Sequence, residues 1–290
     1  MRSCTTLLLA AALGLTTADR TNDDTAAKVA VQKKKAQANW EAVAAGPAAT
    51  LETKHLLIYA PKAMEKRLKA VGTLLEKHYD LASAALGFDP KEGPWPGKLA
   101  VYLFPEREPF GAFVRRVEKR RLLPDQTTAF SVENDDDLHA AALPSRAKGG
   151  PPLEGQAGAA IAQALLARKA GKDTPLPGWL VAGFGRATYY RAAPADKAVQ
   201  ADRRQARTLS RTRGPADVWD DKLDADEAAA LRGSLADFLA YGPGSPKFPA
   251  FVAGFKPGEN MQAKSAAQAL DAAGLPPDRV AASWKRWVNR

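Results

Sequence analysis

Hydrophobic and polar positions change period several times along this 290-residue chain, and each change marks an element. From Ala49 the residues alternate and then run apolar through Leu56-Leu57-Ile58-Tyr59, which predicts a strand over Ala49 to Tyr59. Pro61 opens a helix, because its fixed φ suits a first helical turn. Leu68, Val71, Leu74, Leu75, Tyr79, Leu81 and Leu86 keep a helical period, and Gly87 and Pro90 end it. Lys98 to Phe104 alternates as a second strand, Glu108 to Leu122 reads as a second helix, and Ala129 to Val132 as a short third strand. Pro144 to Gly155 is a Pro- and Gly-rich loop. An Ala-rich helix over Ala159 to Leu166 and a further helix over Trp179 to Arg191 follow. Beyond a basic stretch ending at Pro215 the pattern turns mostly helical: Ala228 to Tyr241, Phe248 to Gly254, Ala263 to Ala273 and Val280 to Val288. The expected class is α+β, with a small N-terminal sheet, its helices, and a mostly helical C-terminal half.

The N-terminal end reads differently. Arg2, an apolar run from Leu7 to Leu15 and Thr16-Thr17-Ala18 have the layout of a secretory signal peptide over residues 1–18. The run is too short for a stable membrane span. Export to a periplasm, cell surface or extracellular space is the expectation. Residues 19–48 are polar and rich in Ala and Lys, with only Val29, Val31, Trp40 and Val43 as anchors, and predict a loosely held helical lead-in. Cys4 precedes the apolar run, so cleavage after Ala18 leaves a chain without cysteine. Disulfides and thiolate-held zinc are then excluded.

The formal charge of +10 favours an anionic partner such as an acidic envelope polymer. It is spread, however, over short clusters: Lys33-Lys34-Lys35, Arg115-Arg116 with Lys119-Arg120-Arg121, and Arg203-Arg204 with Arg207. Solvated helix faces account for such clusters better than an anion-binding surface does, and no motif points to a specific nucleic acid. Of three histidines, His55 falls in a strand and His78 on a helix face, and both read as structural. Asp135-Asp136-Asp137 with His139 carries the chemistry of a cation site, although it lacks the Gly and final Glu of a calcium loop. Asp220-Asp221 with Asp224, Asp226 and Glu227 suits a helix N-terminus. No G-x-S-x-G is present, and Gly183-Phe184-Gly185 lacks the third glycine and preceding strand of a dinucleotide loop.

One stretch carries a family resemblance. Ala159-Ala160-Ile161-Ala162-Gln163 and, after eighteen intervening residues, Trp179-Leu180-Val181-Ala182-Gly183 resemble the frame of the gluzincin metallopeptidases, in particular the peptidase MA-like group. That frame is H-E-x-x-H on one helix and W-L-x-E-G on the next. Residues in the family's order extend the likeness over residues 49–290: His55-Leu56-Leu57-Ile58-Tyr59, Leu86-Gly87, Leu99 to Phe104, Tyr241-Gly242 and Trp284-Lys285-Arg286-Trp287. The resemblance places Ala159 and Gln163 at the two His ligands, Ala182 at the ligand Glu and Ala160 at the general base. Alanine has no lone pair for a metal, so the implied site holds no catalytic residue, metal or other cofactor. The resemblance therefore implies a non-catalytic, peptidase-like protein whose remnant groove binds a peptide, a protein or an anionic polymer. Arg186, Tyr189 and Tyr190 are the candidate groove residues, with Arg186 and Tyr190 expected to be exposed and Trp179 and Phe184 expected in the core. Two alternatives stand beside it: a metal-dependent hydrolase with its site elsewhere, at Asp135 to His139, and a structural envelope protein with the groove filled.

Overall fold

Both faces of a five-stranded sheet are covered by helices, and this double burial governs most of the molecule. A computed structural model describes residues 15–43, 45–147, 150–220, 222–258 and 262–290. Its strands are β1 (Ala48–Glu52), β2 (Leu56–Pro61), β3 (Leu99–Leu103), β4 (Thr128–Ser131) and β5 (His139–Ala142), in the order β1-β2-β3-β5-β4. The central pairs β2/β3 and β3/β5 are parallel, and the outer pairs β1/β2 and β4/β5 are antiparallel. All five residues of β3 are buried, which is why that strand is apolar on alternate and intervening positions alike.

One face of the sheet (Leu56, Ile58, Val101, Ala140) packs against α2 (Leu68–Ala85) and α4 (Leu153–Ala170). The other face (Leu57, Tyr59, Tyr102, Ala141) packs against α1 (Leu15–Ala42) and α3 (Arg107–Arg116). The remaining helices are α5 (Gly178–Ala192), α6 (Lys197–Leu209), α7 (Pro215–Trp219), α8 (Ala225–Tyr241), α9 (Phe248–Ala253), α10 (Ala266–Ala272) and α11 (Pro277–Val288). They extend the first core through Leu235, Phe248, Phe251, Leu270 and Trp284. The fold is thus mixed α+β, as the hydrophobic pattern predicts.

Several boundaries differ from that pattern. The predicted first strand is a hairpin, since Thr53 N bonds back to Leu56 O at 2.9 Å and turns the chain between β1 and β2. A 3₁₀ segment, Lys62–Arg67, intervenes before α2. The second helix stops at Arg116, well short of Leu122. The basic stretch before Pro215 contains α6, which Asp196 caps through its carboxylate and Ala198 N–H. Strand β5 has no sequence signal: His139-Ala140-Ala141-Ala142 is poor in β-formers, and its place between β3 and β4 imposes the conformation.

The lead-in is also more tightly held than its composition suggests. Residues 1–14, with Arg2, Cys4 and most of the apolar run read as a signal peptide, lie outside the described residues. Helix α1, described from Leu15, docks through buried Ala36 and Trp40, with Val43 just past its end buried beside them. The Trp40 ring stacks on Phe104 at 5.6 Å, and its Nε1 donates to Gly46 O. Gln32 is buried and fully used: its Nε2 donates to Pro96 O and Asp135 O, and its Oε1 accepts from Lys98 N. Gly97, at φ +85°, faces this amide, and a Cβ there would collide with it. Among the described residues no helix is long and apolar enough to cross a membrane.

Trp40→Ala is expected to cost about 3–5 kcal/mol in chemical denaturation, the range for a buried aromatic. A loss of about 0.5 kcal/mol or less would mean that α1 does not contribute to the core.

Candidate functional site

The middle of helix α4 is enclosed on most of its circumference. Its buried residues include Ala157, Gly158, Ala160, Ile161, Ala164 and Leu165, with no polar stripe among them. Small residues set how near its neighbours come. A Cβ on Gly158 would overlap the His78 ring of α2, and one on Gly155 would stand 2.8 Å from Tyr189 Cε2. On α5, a Cβ at Gly185 would lie 2.9 Å from Ala159 O and 3.1 Å from Gln163 Nε2. Helices α4 and α5 therefore meet at the residues that the sequence singled out.

A cavity of about 570 Å³ opens beside that contact. Ala159, Gln163, Ala182, Arg186 and Tyr189 line it together with Thr127 and Thr128 at the start of β4 and Arg232 of α8. Three of the four family-aligned positions thus share one cavity. Ala160 does not: it is fully buried in the main core. The donor set of three alanines and one amide does not fit a zinc ion, which needs imidazole, carboxylate or thiolate ligands.

The candidate groove residues separate. Arg186 reaches the cavity but is committed to Asp202 of α6, with Nε–Oδ2 at 2.5 Å and Nη2–Oδ1 at 2.8 Å. Burial disfavours its charge, yet the Asp202 carboxylate more than offsets this and holds its pKa above the ordinary value. Tyr189 lines the cavity with a ring that is only 2% exposed. Tyr190 is not exposed as expected. It points away from the cavity and donates to Asp202 Oδ2 at 2.8 Å, because the buried Arg186–Asp202 pair needs this third partner. Trp179 and Phe184 lie in the core, the latter stacked on Phe248 at 5.3 Å.

The acidic loop ahead of β5 is not an open ligand set. Asp135 pairs with Arg168 at 3.2 Å, Asp136 with Lys28 at 2.5 Å and Asp137 with Lys35 at 3.4 Å, and Asp137 also accepts from Asn39. Its histidine is turned inward, with His139 Nδ1 3.3 Å from Asp137 Oδ1 and Nε2 3.6 Å from Glu118 Oε1. Each carboxylate thus anchors a neighbouring element. The basic clusters show the same economy: Lys33 pairs with Glu52, Arg120 with Glu118, and Arg203 lies over the Tyr190 ring.

Sequence reading missed the part played by β4, an edge strand too short to show a clear period. In the β4/β5 ladder, Leu143 N donates to Thr127 O, so antiparallel alternation points the N–H and C=O of Thr128 and Phe130 outward. Gln126 Nε2 accordingly donates to the outward carbonyl of Thr128 at 2.8 Å. A second cavity of about 590 Å³ lies at the other end of the strand, between Phe130 to Glu133 and Ala167, Arg168, Leu176 and Val181. No family model matches the sequence, and neither a curated protein nor a solved structure matches the chain.

Replacing three cavity residues, Ala159→His, Gln163→His and Ala182→Glu, is expected to add one zinc equivalent over the unaltered protein by elemental analysis. A folded variant with no added zinc would sink the alignment. Adding Ala160→Glu should lower stability, since that position is sealed in apolar core.

The two buried histidines act in opposite directions with pH. Burial drives the pKa of His78 down to about 4, against a hydrogen bond from its Nδ1 to Leu74 O. Its contribution is present above the ordinary 6.5 and is lost as pH falls toward 4. Burial also works against the charged form of His139, but Asp137 and Glu118 outweigh it and raise the pKa above 6.5. That contribution is complete below 6.5 and is lost as pH rises through the higher folded value. His139→Gln should flatten the fall in stability above pH 6.5, and His78→Gln the fall below it, each by at most about 1.4 kcal/mol per pH unit. Unchanged slopes in denaturant titrations would refute both assignments.

Proposed function

We propose that this is an exported, non-catalytic protein of peptidase-like architecture that binds an extended peptide along β4. The observation that carries the reading is the outward edge of β4, with a cavity at each end. An extended chain adds to such an edge through main-chain hydrogen bonds and sets alternate side chains into flanking pockets. The cavity at Ala159, Gln163 and Ala182 supplies one such pocket, and its lining lacks a metal-ligand set and an activated nucleophile. Its volume of about 570 Å³ argues against a groove filled by packing. The dispersal of the basic residues over short clusters, with Lys33 and Arg120 paired to Glu52 and Glu118, favours a peptide over a polyanionic polymer.

Selection from a displayed library of random decapeptides should yield binders that the protein does not cleave. Thr128→Pro removes an outward N–H and leaves the ladder to β5 intact, so affinity should fall about tenfold or more by fluorescence anisotropy. Binders indifferent to Thr128→Pro would place the site elsewhere. Failure to select any would favour a purely structural role, and cleavage would overturn the non-catalytic reading.

A further inference from the structure

Of the chain's three histidines, His78 and His139 are 0% and 3% exposed, so His55 presents the one accessible imidazole. It sits in the turn between β1 and β2, against α2. Its Nδ1 lies 2.7 Å from Glu76 Oε2 and 4.0 Å from Asp80 Oδ1. Glu76 and Asp80 are four residues apart on α2 and so share a face. The three ligating atoms all lie within 4.8 Å of one another.

Two of these groups are already held in place. The His55 ring stacks on Tyr79, with centroids 4.2 Å apart and planes 11° from parallel. Glu76 Oε1 accepts hydrogen bonds from Thr53 Oγ1 and His55 N, which leaves Oε2 aimed at the imidazole. Asp80 is largely in solvent and can reorient by a side-chain rotation.

We propose that His55, Glu76 and Asp80 form a surface site for one divalent transition-metal ion of the zinc type, with water completing the shell. An imidazole nitrogen with two carboxylates suits such an ion better than calcium or magnesium, which take oxygen ligands. Ligand bonds of about 2.0–2.2 Å in a tetrahedral shell put neighbouring ligand atoms roughly 3.3 Å apart. The observed separations of 2.7 and 4.0 Å bracket that value. The ion takes the place of the His55 Nδ1–Glu76 hydrogen bond. It clamps the β1–β2 turn to α2, and the site shares no residue with the groove along β4.

The test is calorimetric titration of the full, untagged chain with zinc chloride, with cobalt absorption as a second readout. The expected result is one ion per chain at micromolar affinity and a raised thermal midpoint in its presence. Asp80→Ala, an exposed change compatible with folding, should weaken binding about tenfold or more. Asp80→His should restore it, which a merely structural ion pair would not require. No stoichiometric uptake up to about 1 mM zinc, a free energy of only about −4 kcal/mol, would overturn the proposal. So would equal affinity in the unaltered protein, Asp80→Ala and Glu76→Gln.

Discussion

The enclosure of α4 is the constraint on which the rest of the structure depends. A helix buried on the sheet side, against α2 and against α5 must be small and apolar almost throughout. Gly155 and Gly158 admit the rings of Tyr189 and His78, and Gly185 of α5 rests on the Ala159 carbonyl. These contacts bring α4 and α5 together closely enough to define a cavity and rigidly enough to keep its shape. They also limit what the cavity can contain. At Ala160, fully buried, a carboxylate would meet apolar neighbours and no compensating charge.

Several buried charges in this interior find partners on other elements. Arg186 of α5 is neutralised by Asp202 of α6, and Tyr190 donates to the same carboxylate. Arg191 pairs with Asp237 of α8 in the same way, at 2.5 Å. Behind the sheet, His139 stands between Asp137 and Glu118, while Asn39 and Lys35 of α1 hold Asp137. His78 differs from these pairs: its Nδ1 is satisfied by Leu74 O of its own helix while its Nε2 has no hydrogen-bond partner, so burial keeps the ring neutral. Removing one member of a buried pair leaves the other charge uncompensated, which is why these networks tie helices together more firmly than their net energy suggests.

The groove follows from the same arrangement. Sheet order leaves β4 outermost, and the α4–α5 contact lies alongside it. The side chains there provide shape, an amide at Gln163 and a neutralised guanidinium at Arg186, and the strand provides outward main-chain groups. The proposed recognition of an extended chain needs no more than this.

Much of this was legible in the residues themselves. The apolar periods of α2, β3, α5 and α8 mark those elements, because burial of a face repeats at the period of the backbone. The absence of metal ligands at Ala159, Ala160, Gln163 and Ala182 is likewise a fact of composition. Glu76 and Asp80 at helical spacing were visible too, although only the hairpin turn brings His55 to them. Tertiary structure decided the rest. An alanine-rich segment became β5 because a vacant edge of the parallel pair needed a strand, and local propensity is too weak to oppose that. A polar N-terminal segment became a docked helix because Trp40 and Gln32 find partners more than 60 residues away, on Phe104 and Lys98. Tyr190 is held within the protein and not in the groove lining because its hydroxyl donates to buried Asp202. Periodicity reports whether a residue is buried; which charge or strand edge it meets depends on contacts between segments distant in sequence.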